Sequence, residues 1–138
     1  MKNGRYEENG EIRWYLNDLL HKEGSPAIEK ASGSREWYQH GLKHRKEGPA
    51  IDNIDGGQEW WLNGVLHCET GPAMNLFNDQ IYHVLNKNNK YKSSNKEWYL
   101  HGVKYTEEEF NQWLDKKNLN KKLQHTLIQK PKDKTNKI

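Results

Sequence analysis

His21, His44 and His67 recur every 23 residues, each followed two or three positions later by an acid (Glu23, Glu47, Glu69), and the third is joined to the single cysteine, Cys68. Imidazole, carboxylate and thiol are the groups that hold zinc, shuttle protons or attack carbonyl carbon. The spacing argues against a shared ion. In a hairpin array, equivalent positions of successive hairpins lie two strands apart, about 10 Å, whereas zinc needs each ring nitrogen within about 2.1 Å. The expectation is therefore no metal, with each imidazole satisfying backbone groups in its own loop. His67 and Cys68, as neighbours in a strand or turn, point apart, and no Asn or Asp is placed to orient them as base and nucleophile. Cys68 stands where the sister segments carry Lys22 and Arg45, which predicts a tolerant, exposed position. The glutamates belong to the same loop repeat, and no glycine-rich phosphate loop of the Walker or Rossmann spacing occurs. The reading is a chain without catalytic residues or cofactor.

The elements that carry these residues repeat with them. Trp14, Trp37 and Trp60 share the 23-residue period, as do Pro26, Pro49 and Pro72. Periods of about 20 to 50 residues mark arrays of one supersecondary unit, each too small to bury its apolar side alone. A degenerate fourth copy keeps the frame at 83–90, and a fifth returns 15 residues later around Trp98, with Glu-Trp-Tyr-Leu-His-Gly at 97–102. Within one unit, the aromatic run at 35–39 and the alternating run at 50–54, before Asp55-Gly-Gly, read as two strands of a hairpin. Asn-Gly at 9–10 and 63–64 suits the positive φ of tight hairpin turns, and the prolines of the Gly-Pro-Ala segments punctuate entry to the next strand.

Strand alternation assigns Trp14, Trp37, Trp60 and Trp98 to one face and Tyr15, Tyr38, Trp61 and Tyr99 to the other. The first column, with the histidines and prolines, reads as structural and the aromatics as the core. The second reads as a binding face with Lys43 and Arg45 at its rim, because Tyr, Trp and Arg are the types enriched in interface hot spots. After the repeats of 1–105, Thr106-Glu-Glu-Glu is a capping box, which predicts a helix over 107–117. Leu119, Leu123 and Leu127 predict a second helix over 119–129 before Pro131. Together 106–130 form a helical cap, and the Lys-rich 131–138 is predicted to be a disordered tail.

Composition fits this thin architecture. Hydrophobic residues make up 33% and charged residues 30%, and six Trp and seven Tyr against two Phe place much of the apolar surface in amphipathic rings. From Lys116 onward eight Lys face one Asp, a local +7, so the total of +3 leaves residues 1–115 at −4. A single cysteine excludes an internal disulfide framework and fits a reducing compartment. No apolar run approaches the roughly 18 to 20 residues that span a bilayer, and the first residues form no signal-peptide core. The expected location is the cytoplasm.

The pattern Trp-Tyr-x-Asn-Gly-x-x-His-x-x-x-Gly-Pro-Ala, closest to form in 59–73, resembles the MORN (membrane occupation and recognition nexus) repeat family, in the divergent branch of bacterial, phage and giant-virus proteins. The resemblance covers 10 to about 105 and departs from the pattern in the fourth copy and at Asp18 and His40. It implies a mainly β fold, an antiparallel β-hairpin meander in a single curved sheet, and a scaffold that binds protein or lipid without a shared active site. The ending after Tyr105 also resembles repeat proteins of large phages. The functional expectation is a non-enzymatic protein-interaction module, and the resemblance implies a phage-encoded inhibitor that occludes a host defence protein. The alternatives are an antitoxin or immunity protein directed at a toxin, and nucleic-acid or anionic-lipid binding through the basic tail.

Overall fold

The computed structural model describes residues 1–77 and 94–129. The fourth copy at 83–90 and the tail at 131–138 lie outside the described residues. The chain is mainly β, an open antiparallel sheet of hairpins followed by one C-terminal helix.

The first unit holds β1 (Gly4–Glu8), β2 (Glu11–Leu16), β3 (Leu19–Leu20) and β4 (Ile28–Glu29). The second holds β5 (Arg35–Glu36), β6 (Tyr38–Gln39), β7 (Leu42–Lys43) and β8 (Ile51–Asp52). The third holds β9 (Gln58–Glu59), β10 (Trp61–Leu62), β11 (Val65–Leu66) and β12 (Met74–Phe77). β13 (Ser94–Leu100) and β14 (Val103–Tyr105) complete the sheet, and the helix α1 spans Glu107–Gln129. The ten-stranded sheet runs β1-β2-β4-β5-β8-β9-β12-β13-β14, with β3 paired to β2, while β6-β7 and β10-β11 form two-stranded ribbons beside it.

The tryptophan column explains why the longer strands break in two. Trp14, Trp37 and Trp60 each send their main-chain N–H to the carbonyl of the Ala in the Pro-Ala segment of their unit and receive on their own carbonyl the N–H of the following His. The pairs are Trp14 to Ala27 at 2.8 Å with His21 to Trp14 at 3.0 Å, Trp37 to Ala50 at 2.7 Å with His44 to Trp37 at 3.0 Å, and Trp60 to Ala73 at 2.7 Å with His67 to Trp60 at 3.0 Å. One residue thus hands the strand from one partner to another. The three alanines are fully buried, next to Ile28 and Ile51, while of the Trp, Tyr and Phe rings whose burial is described only Trp37 and Phe110 are buried. The centre is therefore built on the Ala-Ile pair, not on the aromatics expected from composition. Their complete burial gives the Ala of these Pro-Ala segments a packing role beyond punctuation.

Tight turns set the hairpin register. Asn9, Asn17, Asp18, His40, Asn63 and His101 have positive φ, as do Gly41, Gly64 and Gly102. At the second position of each turn the glycine also meets the preceding unit: a Cβ at Gly41 would lie 3.3 Å from Leu19, and at Gly64 3.2 Å from Leu42. In the first unit Asp18 holds this position at φ 65° and accepts the main-chain N–H of Lys2 at 2.6 Å. His40 keeps the turn at φ 48°.

The copy around Trp98 packs directly on the third unit. Ala73 donates to the Glu97 carbonyl at 2.8 Å, as Ala27 does to Glu36, and β12 pairs with β13. Trp98 follows Trp60 by 38 residues in sequence but takes the place of the next neighbour in space.

Thr106 and Glu109 close the predicted capping box in both directions, at 2.8 and 3.2 Å. The two helices expected at 107–117 and 119–129 are one: Lys116-Lys-Asn-Leu119 contains neither Gly nor Pro, so nothing stops the helix there. Phe110, 1% exposed, anchors its start against β13 and β14, whereas Leu119, Leu123 and Leu127 remain exposed.

Candidate functional site

Each repeat histidine works between units, not inside its own loop as expected. His21 accepts the His40 N–H through Nδ1 at 3.1 Å, His44 that of Asn63 at 3.0 Å, and His67 that of His101 at 2.9 Å. The acceptor nitrogen sits under the first residue of the next hairpin turn, whose N–H has no strand partner. Gly41, Gly64 and Gly102 continue the seam by donating to the carbonyls of Leu20, Lys43 and Leu66 at 2.8, 2.9 and 2.8 Å. At the start of the array Asn3 substitutes for histidine, its Oδ1 accepting the Asn17 N–H at 2.8 Å, and the Lys2 carbonyl accepts from Asp18. Residues 2–3 thus supply the first hairpin with the acceptors a preceding unit would give.

Among the described residues, one group brings three ligand-type side chains within 4.8 Å of one another: His67, Glu69 and His101. Its chemistry does not suit a metal. A neutral imidazole that accepts a backbone N–H at Nδ1 carries its proton on Nε2, and His67 Nε2 faces Glu69 at 3.8 Å. Ligation through Nε2 requires the proton to move to Nδ1 and the turn hydrogen bond to break, the reverse of metal-bound histidines that donate through the second nitrogen. Glu69 is also paired with Lys117 of α1. Burial, followed by the charge of neighbouring His101, holds the His67 imidazolium pKa below its ordinary value, while the Lys117 hydrogen bond draws Glu69 down.

Cys68, expected to be exposed, is buried, with Sγ 3.6 Å from Thr70 Oγ1. Its counterparts serve the Trp column instead. Lys22 Nζ lies 4.0 Å from the Trp14 ring centroid and the Arg45 guanidinium 3.9 Å from that of Trp37. Arg45 also donates to the Pro49 carbonyl at 3.1 Å. With its guanidinium so placed, Arg45 belongs to the Trp column, whereas Lys43 lies over Trp61 at 4.7 Å and stands beside the second aromatic row.

That row has its own repeating support. Tyr38 Oη donates to Glu36 at 3.0 Å, Trp61 Nε1 to Glu59 at 2.7 Å, and Tyr99 Oη to Glu97 at 2.8 Å. The motif is acid-x-aromatic on one face of a strand; the first unit carries Arg13 before Tyr15 instead. Cations flank the rings: Lys2 lies 5.0 Å from Tyr15 and Lys104 5.9 Å from Tyr99. Burial and then Glu36 push the Tyr38 phenol up to about 12. Tyr15, Tyr38, Trp61 and Tyr99 are each half-buried, and the polar tips of Tyr38, Trp61 and Tyr99 are fixed. The acid two residues before Tyr38, Trp61 and Tyr99 is present in the sequence, and the period-two rule that places the rings on one face places it there too.

Comparison with family models, curated proteins and solved structures finds no match.

Among the described residues, no helix is long and apolar enough to cross a membrane.

Proposed function

We propose that the chain is a non-enzymatic protein-interaction module whose contact surface is the row Tyr15, Tyr38, Trp61 and Tyr99. The observation that carries this reading is the acid-held aromatic row: three of the four rings have their polar tip bonded to a Glu two residues earlier, so rotamers are set before a partner arrives. Half-buried aromatic side chains with few torsions lose little entropy on contact, which is why Tyr and Trp dominate interface hot spots. Lys43, over Trp61, supplies a rim charge. The resemblance to MORN repeats of phage origin extends the reading to a module that occludes a host defence protein.

The test is affinity purification of the tagged chain from its native host beside a Tyr38→Ala/Trp61→Ala variant, with circular dichroism to confirm that the variant keeps its sheet. The expected result is a partner lost by the folded variant. A partner retained at full yield contradicts the assigned face.

A further inference from the structure

The loop that follows the repeat histidine breaks its own pattern in the second unit. Two residues after the histidine the first and third units carry Glu23 and Glu69, whereas the second carries Lys46, so that Arg45 and Lys46 stand together after His44. The seam does not require this change, because His21 and His67 make the same bond to the next turn as His44 does. The charge inversion opens onto a cavity of about 380 Å³ between the first two units, lined by Lys22, Arg45 and Lys46 with Glu47 as the lone acid, a net +2 on a body of −4. The Arg45 guanidinium is fixed on three sides. Its carbon lies 3.9 Å from the Trp37 ring centroid, its Nη1 donates to the Pro49 carbonyl at 3.1 Å, and a Cβ at Gly48 would lie 3.0 Å from that carbon, so Gly48 leaves it room. Its Nε and Nη2 have no acceptor among the described residues. His44 also lines the cavity and is only 7% exposed. With Nδ1 accepting the Asn63 N–H, its proton sits on Nε2, and this donor has no partner among the described residues.

We infer that this cavity binds a small phosphate monoester, its phosphoryl oxygens taken by the free edge of Arg45, the Nε2–H of His44 and the ammonium of Lys46, and its organic part lying against Trp37 and Gln39. A guanidinium edge matches two oxygens of one phosphoryl group, and charge-assisted bonds of this kind are about twice as strong as neutral ones. Lys22, held over the Trp14 ring at 4.0 Å, adds charge from the side of the first unit. A carboxylate brings two oxygens and one charge; donors from three residues and a net +2 suit a phosphoryl dianion better. The volume stands at the lower end of small-molecule sites, with room beyond the anion itself. Neither Tyr38 nor Trp61 lines the cavity, so this site is separate from the aromatic row.

The test is NMR titration of the full ¹⁵N-labelled chain with phenyl phosphate, inorganic phosphate and acetate at low salt and about pH 7.5, where the monoester is a dianion. The resonances read are His44 Nε2 and Arg45 Nε. Three variants accompany the parent. Lys46→Glu installs the acid of the sister units at an exposed position, Arg45→Lys installs the residue of the first unit and keeps the charge while losing the fork, and Lys121→Gln removes one exposed charge on α1. Backbone amide spectra confirm that each variant keeps its sheet. The expected result is that phenyl phosphate moves both resonances with a Kd of about 1 mM or below, and that inorganic phosphate and then acetate bind more weakly. Lys46→Glu and Arg45→Lys are expected to weaken phenyl phosphate about tenfold or more, and Lys121→Gln to bind as the parent does. Resonances of His44 and Arg45 unmoved by phenyl phosphate in the parent overturn the inference, as does undiminished binding by the folded Lys46→Glu chain. Inorganic phosphate or acetate bound as tightly as phenyl phosphate overturns the monoester and leaves a general anion seat.

Discussion

The imidazole Nδ1 of His44 accepts the main-chain N–H of Asn63 at 3.0 Å, so the side chain that closes one unit is also the acceptor for the first turn residue of the next. The same bond joins His21 to His40 and His67 to His101, and the column is conserved within the chain because every seam between units needs it.

Loss of this acceptor is expected to weaken the array at one seam. His44→Ala leaves the Asn63 N–H without its partner and should cost about 1 to 3 kcal/mol, read as a lower midpoint in urea. The equivalent change at His125, exposed on α1, is expected to leave the midpoint unchanged.

Acid should act through the same seam. Because the folded His67 pKa is depressed, the unfolded chain takes up a proton first as pH falls, so this contribution to stability is present above about 6.5 and lost as pH drops through the lower folded value. The groups facing the ring are Glu69, Lys117 and His101, of which only Glu69 favours the imidazolium. Urea midpoints between pH 6.5 and about 5, above the ordinary carboxylate range, are expected to fall, and His67→Gln is expected to flatten that slope.

How much of this was legible in the sequence depends on whether a residue answers to its own unit or to the next. The period, the turns at Asn9-Gly10 and Asn63-Gly64 and the Thr106–Glu109 box are local devices, and they appear in the structure where the residues place them. The partner of His44 was not legible, because a column of identical residues reads the same whether each bonds within its unit or across a seam. Cys68 misled for a related reason: its sequence counterparts Lys22 and Arg45 are charged, but they lie over Trp rings, so the position is covered although its residues look like surface. The direct packing of Trp98 on the third unit was hidden by a frame that continues through 83–90. In the candidate row the rings follow from alternation, whereas Arg45, expected at its rim as a hot-spot residue type, stacks on Trp37 instead.

The phenol of Tyr38 reports on its glutamate. Burial and, after it, Glu36 hold its pKa at about 12, so its contribution to stability is complete below about 10 and lost as pH climbs through the folded value. Glu36→Gln removes a negative charge and is expected to move that titration down toward 10, visible as an earlier rise of the phenolate absorbance. An unchanged alkaline titration contradicts the Tyr38–Glu36 bond.

Two glycines separate conformation from composition. Gly64, at φ 79° and with Leu42 Cδ2 3.2 Å from a built Cβ, should lose about 1 to 2 kcal/mol on change to Ala. Gly71 has no positive φ and open space around a Cβ, so Gly71→Ala should be neutral or stabilise by about 0.5 kcal/mol. Equal effects at the two sites contradict the turn-on-unit packing.

Nitrogen NMR of the imidazoles tests the seam most directly. In uniformly ¹⁵N-labelled protein at neutral pH, His21, His44 and His67 are expected as the Nε2–H tautomer, each with scalar coupling through the hydrogen bond from Nδ1 to the amide nitrogen of His40, Asn63 and His101. A protonated Nδ1 at these positions, or couplings absent from all three, contradicts an array in which each unit takes its register from the histidine before it.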